Sequence, residues 1–156
     1  MVVSHVLVGL GAWVVAARLG GTAPDALPGL AAAAAGALLP DIDHPSSWLG
    51  RRVWVVSKPL SRLIGHRGLT HSLLAVAGGL MLLDALRPGR MLAGLVEPLA
   101  VGYLSHLAMD ALTPAGVPLL WPWRQRFGVA LCSSGGAMEM LVVAAILAAA
   151  GWFVWR

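Results

Sequence analysis

The chain has 156 residues, 58% of them hydrophobic and 12% charged, with a mean hydropathy of +0.80. A soluble domain carries about 25% charged residues, so this chain has too few polar side chains to cover a water-exposed globule. The formal charge of +4 does not call for nucleic acid as a partner: the basic residues fall mostly in short loops, where lipid head groups and topology account for them, and the composition implies a small polytopic membrane protein with one integral domain over residues 1–156.

Residues 2–18 predict a first apolar helix carrying His5, followed by the Gly/Pro connection "RLGGTAPDALPG". The segment has no basic stretch ahead of it and no clear cleavage site, so it is not expected to be a cleaved signal peptide. An Ala-rich second helix over 29–39 ends at Pro40; it is short for a crossing, which takes about 20 residues. Residues 41–69 form the largest polar region. There Arg51, Arg52, Lys58, Arg62 and Arg67 alternate with apolar residues, Trp48 and Trp54 among them, as in an interfacial amphipathic stretch. Residues 70–86 predict a third apolar helix, opened by Thr70, His71 and Ser72. After "RPGR", a fourth covers 91–112 and is interrupted by Glu97 and Pro98. A Pro-, Gly- and Trp-rich loop over 113–136 leads to a last helix, 137–155, which ends in the aromatic anchor "WFVWR". The expected fold class is all-α: a polytopic membrane helical bundle of about five apolar helices with an interfacial helical stretch.

Five crossings would put the N-terminus and the loops 41–69 and 113–136 on one face. That face holds seven basic residues, Arg51, Arg52, Lys58, Arg62, Arg67, Arg124 and Arg126, against Arg18, Arg87, Arg90 and Arg156 opposite. The excess favours a cytoplasmic location for the loop-rich face. The same arrangement gathers all five histidines, His5, His44, His66, His71 and His106, at that face, together with Asp41, Asp43, Asp110 and Glu139.

The single cysteine, Cys132, excludes an intramolecular disulfide and a cysteine-rich zinc site, so a metal would have to be held by His and carboxylate. "PDIDH" places Asp41, Asp43 and His44 just beyond a helix end, stiffened by Pro40 and Pro45. One aspartate there reads most simply as a cap or a solvated charge, whereas Asp-x-Asp-His beside a membrane reads better as metal ligands. "GHRGLTHS" offers His66 and His71, with Arg67 between them as a bidentate partner for phosphate or carboxylate, or as a positive-inside anchor. His106 and Asp110 stand at i, i+4 on one face of an apolar helix. An ionised Asp in a span costs about 3 kcal/mol, which a metal or a structural His–Asp bond would offset. His5 and Glu139 are weaker as single signals; Glu139 also suits the N-terminal dipole of its own helix. An oxygen/nitrogen set of this kind suits zinc, manganese or magnesium.

The ordered motifs "LLPDIDHPSSWLG", "VSKPLSR", "GHRGLTHSLLAV" and "GYLSHLAMDALTPAGVPLLWP", followed by Glu139, resemble the YdjM-like bacterial inner-membrane proteins over roughly residues 5–140. That family is described as LexA-regulated, membrane-bound, metal-dependent hydrolases, and the resemblance implies the inner membrane and a divalent metal. A more distant similarity is to the zinc-dependent phospholipase C and single-strand nuclease superfamily, which is all-helical and binds a metal cluster. It implies ligand roles for His5, Asp43 or Asp41, His71 or His66, His106 and Asp110, with Glu139 matching a later Glu. Position 135 is Gly where that superfamily has a His, so one or two metal ions are expected rather than three.

The expected function is a membrane-embedded, metal-dependent hydrolase that cleaves a lipid or lipid-linked phosphoester by metal-activated water. His5, Asp41, Asp43, His44, His71, His106, Asp110 and Glu139 are the candidate ligands. His66 is a candidate proton-transfer group and Arg67 a candidate phosphate contact, with Arg51 and Arg126 as further cations within reach of the charge. The metal is expected to be zinc, with manganese or magnesium as alternatives, and the partners are membrane lipids. The alternative is a metal transporter, or a sensor or structural protein whose metal staples helices.

Overall fold

Long apolar segments free of proline favour helix, and the computed structural model, which describes residues 2–24, 26–65, 67–86, 89–123 and 125–156, has that form. Among the described residues, seven α-helices run in chain order: α1 Val2–Leu19, α2 Leu27–Leu38, α3 Trp48–Arg52, α4 Trp54–Ile64, α5 Leu73–Leu86, α6 Arg90–Ala111 and α7 Ala137–Trp155. Two 3₁₀ turns, Leu39–Asp43 and Leu69–His71, carry the acidic and histidine motifs. No strand forms among the described residues; one antiparallel bridge pairs Val117 with Phe127.

The all-helical expectation holds, with three differences. Among the described residues, only α1 and α7 are both long and apolar enough to cross a membrane. At 1.5 Å rise per residue, α2 and α5 are about 18 and 21 Å long, short of a roughly 30 Å hydrocarbon layer. α6 has the length but includes Glu97, His106 and Asp110, so these helices do not give the count of five full crossings. The expected interruption at Glu97 and Pro98 is also absent: α6 runs unbroken through Pro98, which forgoes one backbone hydrogen bond but sits fully buried. Thr70 and His71 form a 3₁₀ turn instead of opening the third helix. Ser72 caps that helix, its Oγ accepting the Ala75 N–H at 3.2 Å.

The packing is inverted relative to a soluble protein. His5, Asp43, His71, His106, Asp110 and Glu139 are buried. Met81, Leu141, Met140 and Trp155 are 73%, 64%, 74% and 90% exposed. Such an apolar exterior matches a hydrocarbon solvent, where only paired polar groups are tolerated inside.

α2 lies sandwiched between α1 and α6, its most extensive packing being on α6. Glycine makes this possible. A Cβ on Gly36 would collide with the carbonyl oxygen of Leu99, and one on Gly102 with that of Ala33, so the α2 and α6 backbones touch directly. The loop after α6 folds back on the helix end: Val129 N–H donates to Ala111 O at 2.9 Å and Leu131 N–H to Leu112 O at 2.8 Å. Carbonyls that a helix end leaves orphaned are thereby satisfied next to Asp110.

Candidate metal centre

The close approach of α2 and α6 fixes the central histidine. His106 Nδ1 donates to the carbonyl of Ala37 at 2.7 Å. A carbonyl only accepts, so Nδ1 carries a proton, and in the neutral ring Nε2 presents a lone pair. That Nε2 is buried and has no hydrogen-bond partner among the described residues. It faces Asp110 Oδ2 at 3.7 Å and Asp41 Oδ1 at 3.9 Å. A lone pair turned toward two carboxylate oxygens is repulsive unless a cation lies between them.

Around this atom the donors form two overlapping groups, His5 with His106 and Asp110, and Asp41 with His71 and His106, the donor atoms in each within 4.8 Å of one another. His5 Nε2 is 3.3 Å from Asp110 Oδ1, and His71 Nε2 is 3.5 Å from Asp110 Oδ2. The ring centroids of His5 and His71 lie 4.1 and 5.3 Å from that of His106. A tetrahedral ion with bonds of about 2.0–2.2 Å holds its ligand atoms roughly 3.4 Å apart. The donor spacing and the His/carboxylate chemistry therefore fit a divalent metal, and because both groups share His106, whose single free nitrogen serves one ion, they describe one site.

The five residues arrive from four elements, and all arrive at one end of the bundle. His5 lies in the first turns of α1, Asp41 in the turn after α2, His71 just before α5, and His106 and Asp110 near the end of α6. Ser47 shapes the acidic turn by donating to Asp41 O at 2.8 Å while accepting the Gly50 N–H at 2.8 Å, as the N-cap of α3.

The remaining predicted residues take other places. Asp43 is fully buried, accepts the Thr70 hydroxyl, and stands 3.6 Å from His71 Nδ1, on the side of that ring away from Asp110. His44 Nδ1 accepts the Ser46 N–H at 3.1 Å and belongs to neither donor group. Glu139 accepts the Gly135 N–H at the start of α7 and is likewise in neither group. His66 lies outside the described residues. Arg67 does not reach outward as a topology anchor: its Nη2 is 2.9 Å from both oxygens of Asp110 and bonds Oδ1.

Two contributors were not foreseen. Thr70, read as part of a helix start, links Asp43 to His71, its Oγ1 standing 3.1 Å from His71 Nδ1. Tyr103, the only tyrosine in the chain, donates its hydroxyl to Thr70 O. The available signal was a lone phenol three residues before His106 in an apolar helix, since a phenol removed from water needs an acceptor.

A helical membrane protein with a buried His/Asp cluster at one end of its bundle is the class these features define. The chain belongs to the YdjM inner membrane protein family, whose model matches residues 1–156, and it is accordingly an inner membrane protein. It is 46% identical over 122 residues to inner membrane protein YdjM of Escherichia coli (strain K12) and, equally, of Shigella flexneri; the match covers 76% of this chain and 61% of each relative. The chain thus spans under two thirds of the length of these relatives. YvsG of Bacillus subtilis (strain 168) is 34% identical over 152 residues, covering 96% of this chain and 91% of that protein. No solved structure matches the chain.

Proposed function

We propose that the chain is a divalent-metal hydrolase of the inner membrane that cleaves a phosphoester of a lipid or lipid-linked substrate at the membrane–water boundary. The observation that carries this reading is the lone pair of His106 Nε2, buried and aimed at the oxygens of Asp110 and Asp41. His5, Asp41, His71, His106 and Asp110 would hold the metal, zinc by donor type, with manganese or magnesium as the alternatives. Bound there, a divalent cation supplies Lewis-acid polarisation of a phosphoryl oxygen and makes water acidic enough to attack at neutral pH. The chain's own groups supply the rest. Ala37 O and the Tyr103–Thr70–Asp43 series hold His106 and His71 in orientation. Arg67, beside Asp110, is placed to offset negative charge developing on the phosphoryl group.

A site at the loop-rich end suits a lipid substrate, whose ester lies at head-group depth, and the excess of basic residues in the loops favours the cytoplasmic side for that end. The transporter alternative requires polar groups continuing toward the other face. The other acidic residues described, Asp84 and Glu97, are exposed rather than lining a path from the cluster.

The test is metal content of detergent-purified protein, followed by a lipid-phosphoester hydrolysis assay. The expected result is stoichiometric metal in the wild type, with most of it lost in Asp110→Ala and in His106→Ala, and phosphate release that disappears with it. Wild-type protein that holds no metal after reconstitution with Zn or Mn, or that holds it and cleaves no phosphoester, ends the hydrolase reading.

A further inference from the structure

Beside the cluster, on the loop face, lies a cavity of about 430 Å³ whose walls include Ile64, Arg67, Gly68, Pro118, Trp121 and Arg126. It is formed by the end of α4, the turn that follows it, and the loop after α6. Two guanidinium groups line it, and no carboxylate is among its described lining residues. Arg67 joins this cavity to the metal centre: its Nη2 is committed to Asp110, while its Nη1 is buried without a hydrogen-bond partner among the described residues. Its backbone is held at φ 53°, a region an L residue enters at a cost of roughly 1–3 kcal/mol, which marks a position held by its surroundings. Arg126 is exposed; its Nη1 donates to Ala115 O at 3.2 Å, which holds the side chain at the cavity rim.

We infer that this cavity is a head-group site for a phosphate-bearing ligand, with Arg126 as an anion contact separate from the scissile centre. The unpartnered Nη1 of Arg67 and the guanidinium of Arg126 face a cavity with no carboxylate among its described lining residues, which favours an anion, and planar N–H forks match phosphate oxygens. The volume falls in the range of small-molecule sites, about 300–1,000 Å³, so the ligand is more than a bare ion. The indole of Trp121 and the ring of Pro118 give a flat wall for the polar body that carries the phosphate. The inference deepens the hydrolase reading and rests on it only for what happens to the ligand after it binds.

The experiment is calorimetric titration of detergent-purified wild type, Arg126→Gln and Arg126→Glu with three probes: glycerol, glycerol phosphate and a short-chain phosphatidic acid. Saturable binding of at least one phosphate probe but not of glycerol is expected, weakened about tenfold in Arg126→Gln, as loss of one charge-assisted contact implies, and abolished in Arg126→Glu. Binding of glycerol phosphate alone identifies a soluble phosphate ligand, and binding of phosphatidic acid alone a lipid head group; each supports the site. Thermal melting checks that the variants are folded, which the exposure of Arg126 favours. Failure of both phosphate probes to bind wild type, or equal binding by wild type and folded Arg126→Glu, overturns the inference. Binding that depends on Arg126 without any hydrolysis removes the hydrolase reading and leaves the site; hydrolysis with binding indifferent to Arg126 does the reverse.

Discussion

At the scale of single residues, the cluster is a problem of orienting imidazole rings. His106 is oriented by a backbone carbonyl and His71 by a series of side chains, and both controls come from outside the ligand set. Groups of this kind, one bond removed from the ligands, typically change metal affinity 10–100-fold when removed. Tyr103→Phe deletes the hydroxyl that Thr70 O accepts while keeping the ring. Because it acts through the Thr70 backbone rather than on a ligand, it is expected to weaken metal binding by less than the roughly tenfold loss of a direct partner and to lower stability by about 1 kcal/mol. Competition with a metal chelator measures the first and thermal melting the second; unchanged chelator competition would make Tyr103 a packing residue. That the cluster residues gather together was partly legible in the sequence because spacing reports geometry directly: i, i+4 for His106 and Asp110, and Asp-x-Asp after a helix end. The choice between Asp41 and Asp43 was not legible, because it depends on how a 3₁₀ turn aims two side chains. In the structure Asp41 faces His106 and Asp43 faces Thr70. The Ala37 carbonyl could not be foreseen either, since a backbone acceptor leaves no trace in residue type.

At the scale of elements, the site depends on how closely α2 approaches α6. The two small residues Gly36 and Gly102 allow the backbones to meet, and that contact brings Ala37 O within reach of His106. Gly102→Val would have to push α2 away from α6, because the added carbon meets the backbone of Ala33 rather than a movable side chain. The expected outcome is loss of bound metal together with destabilisation of roughly 1–3 kcal/mol, the usual effect of overpacking. Gly78→Ala, on α5, is the control, since a Cβ there meets nothing within 4 Å; it should keep its metal and melt no lower than wild type. Metal content and melting of both variants check the pair, and a Gly102→Val protein that keeps its metal would separate the site from this contact. Hydrophobic runs placed α1, α2, α6 and α7 within a few residues of their observed bounds. They did not foresee that α5 buries none of its residues while α2 is enclosed by neighbours. Apart from Asp84 near the end of α5, both segments are apolar all round, so composition cannot say which faces lipid and which faces protein.

At the scale of the molecule, the cluster residues converge from four helices, α1, α2, α5 and α6, or the turns next to them, although two of those helices are too short to span a bilayer. For α2, burial accounts for this: it is enclosed by α1 and α6, so its short apolar length meets protein rather than lipid. Sidedness is a separate matter, decided by charge in the loops. Arg67 was counted toward the positive face, yet it is bonded to Asp110, so α3 and α4 carry more of that signal through Arg51, Arg52, Lys58 and Arg62. On those helices Arg52 stacks 3.7 Å from the Trp48 ring and Lys58 lies 5.1 Å from that of Trp54, cation–aromatic pairs suited to the head-group layer. A cytoplasmic loop face requires the α1–α2 connection to lie outside the cell membrane, because α1 crosses. In a Cys132→Ser background, Ala23→Cys and Trp123→Cys place single thiols at exposed positions of the two opposite ends. A membrane-impermeant maleimide is expected to label the Ala23→Cys protein in spheroplasts and the Trp123→Cys protein only in inverted vesicles. The reverse pattern would put the cluster on the periplasmic side, and the substrate would then be a lipid phosphoester of the outer leaflet.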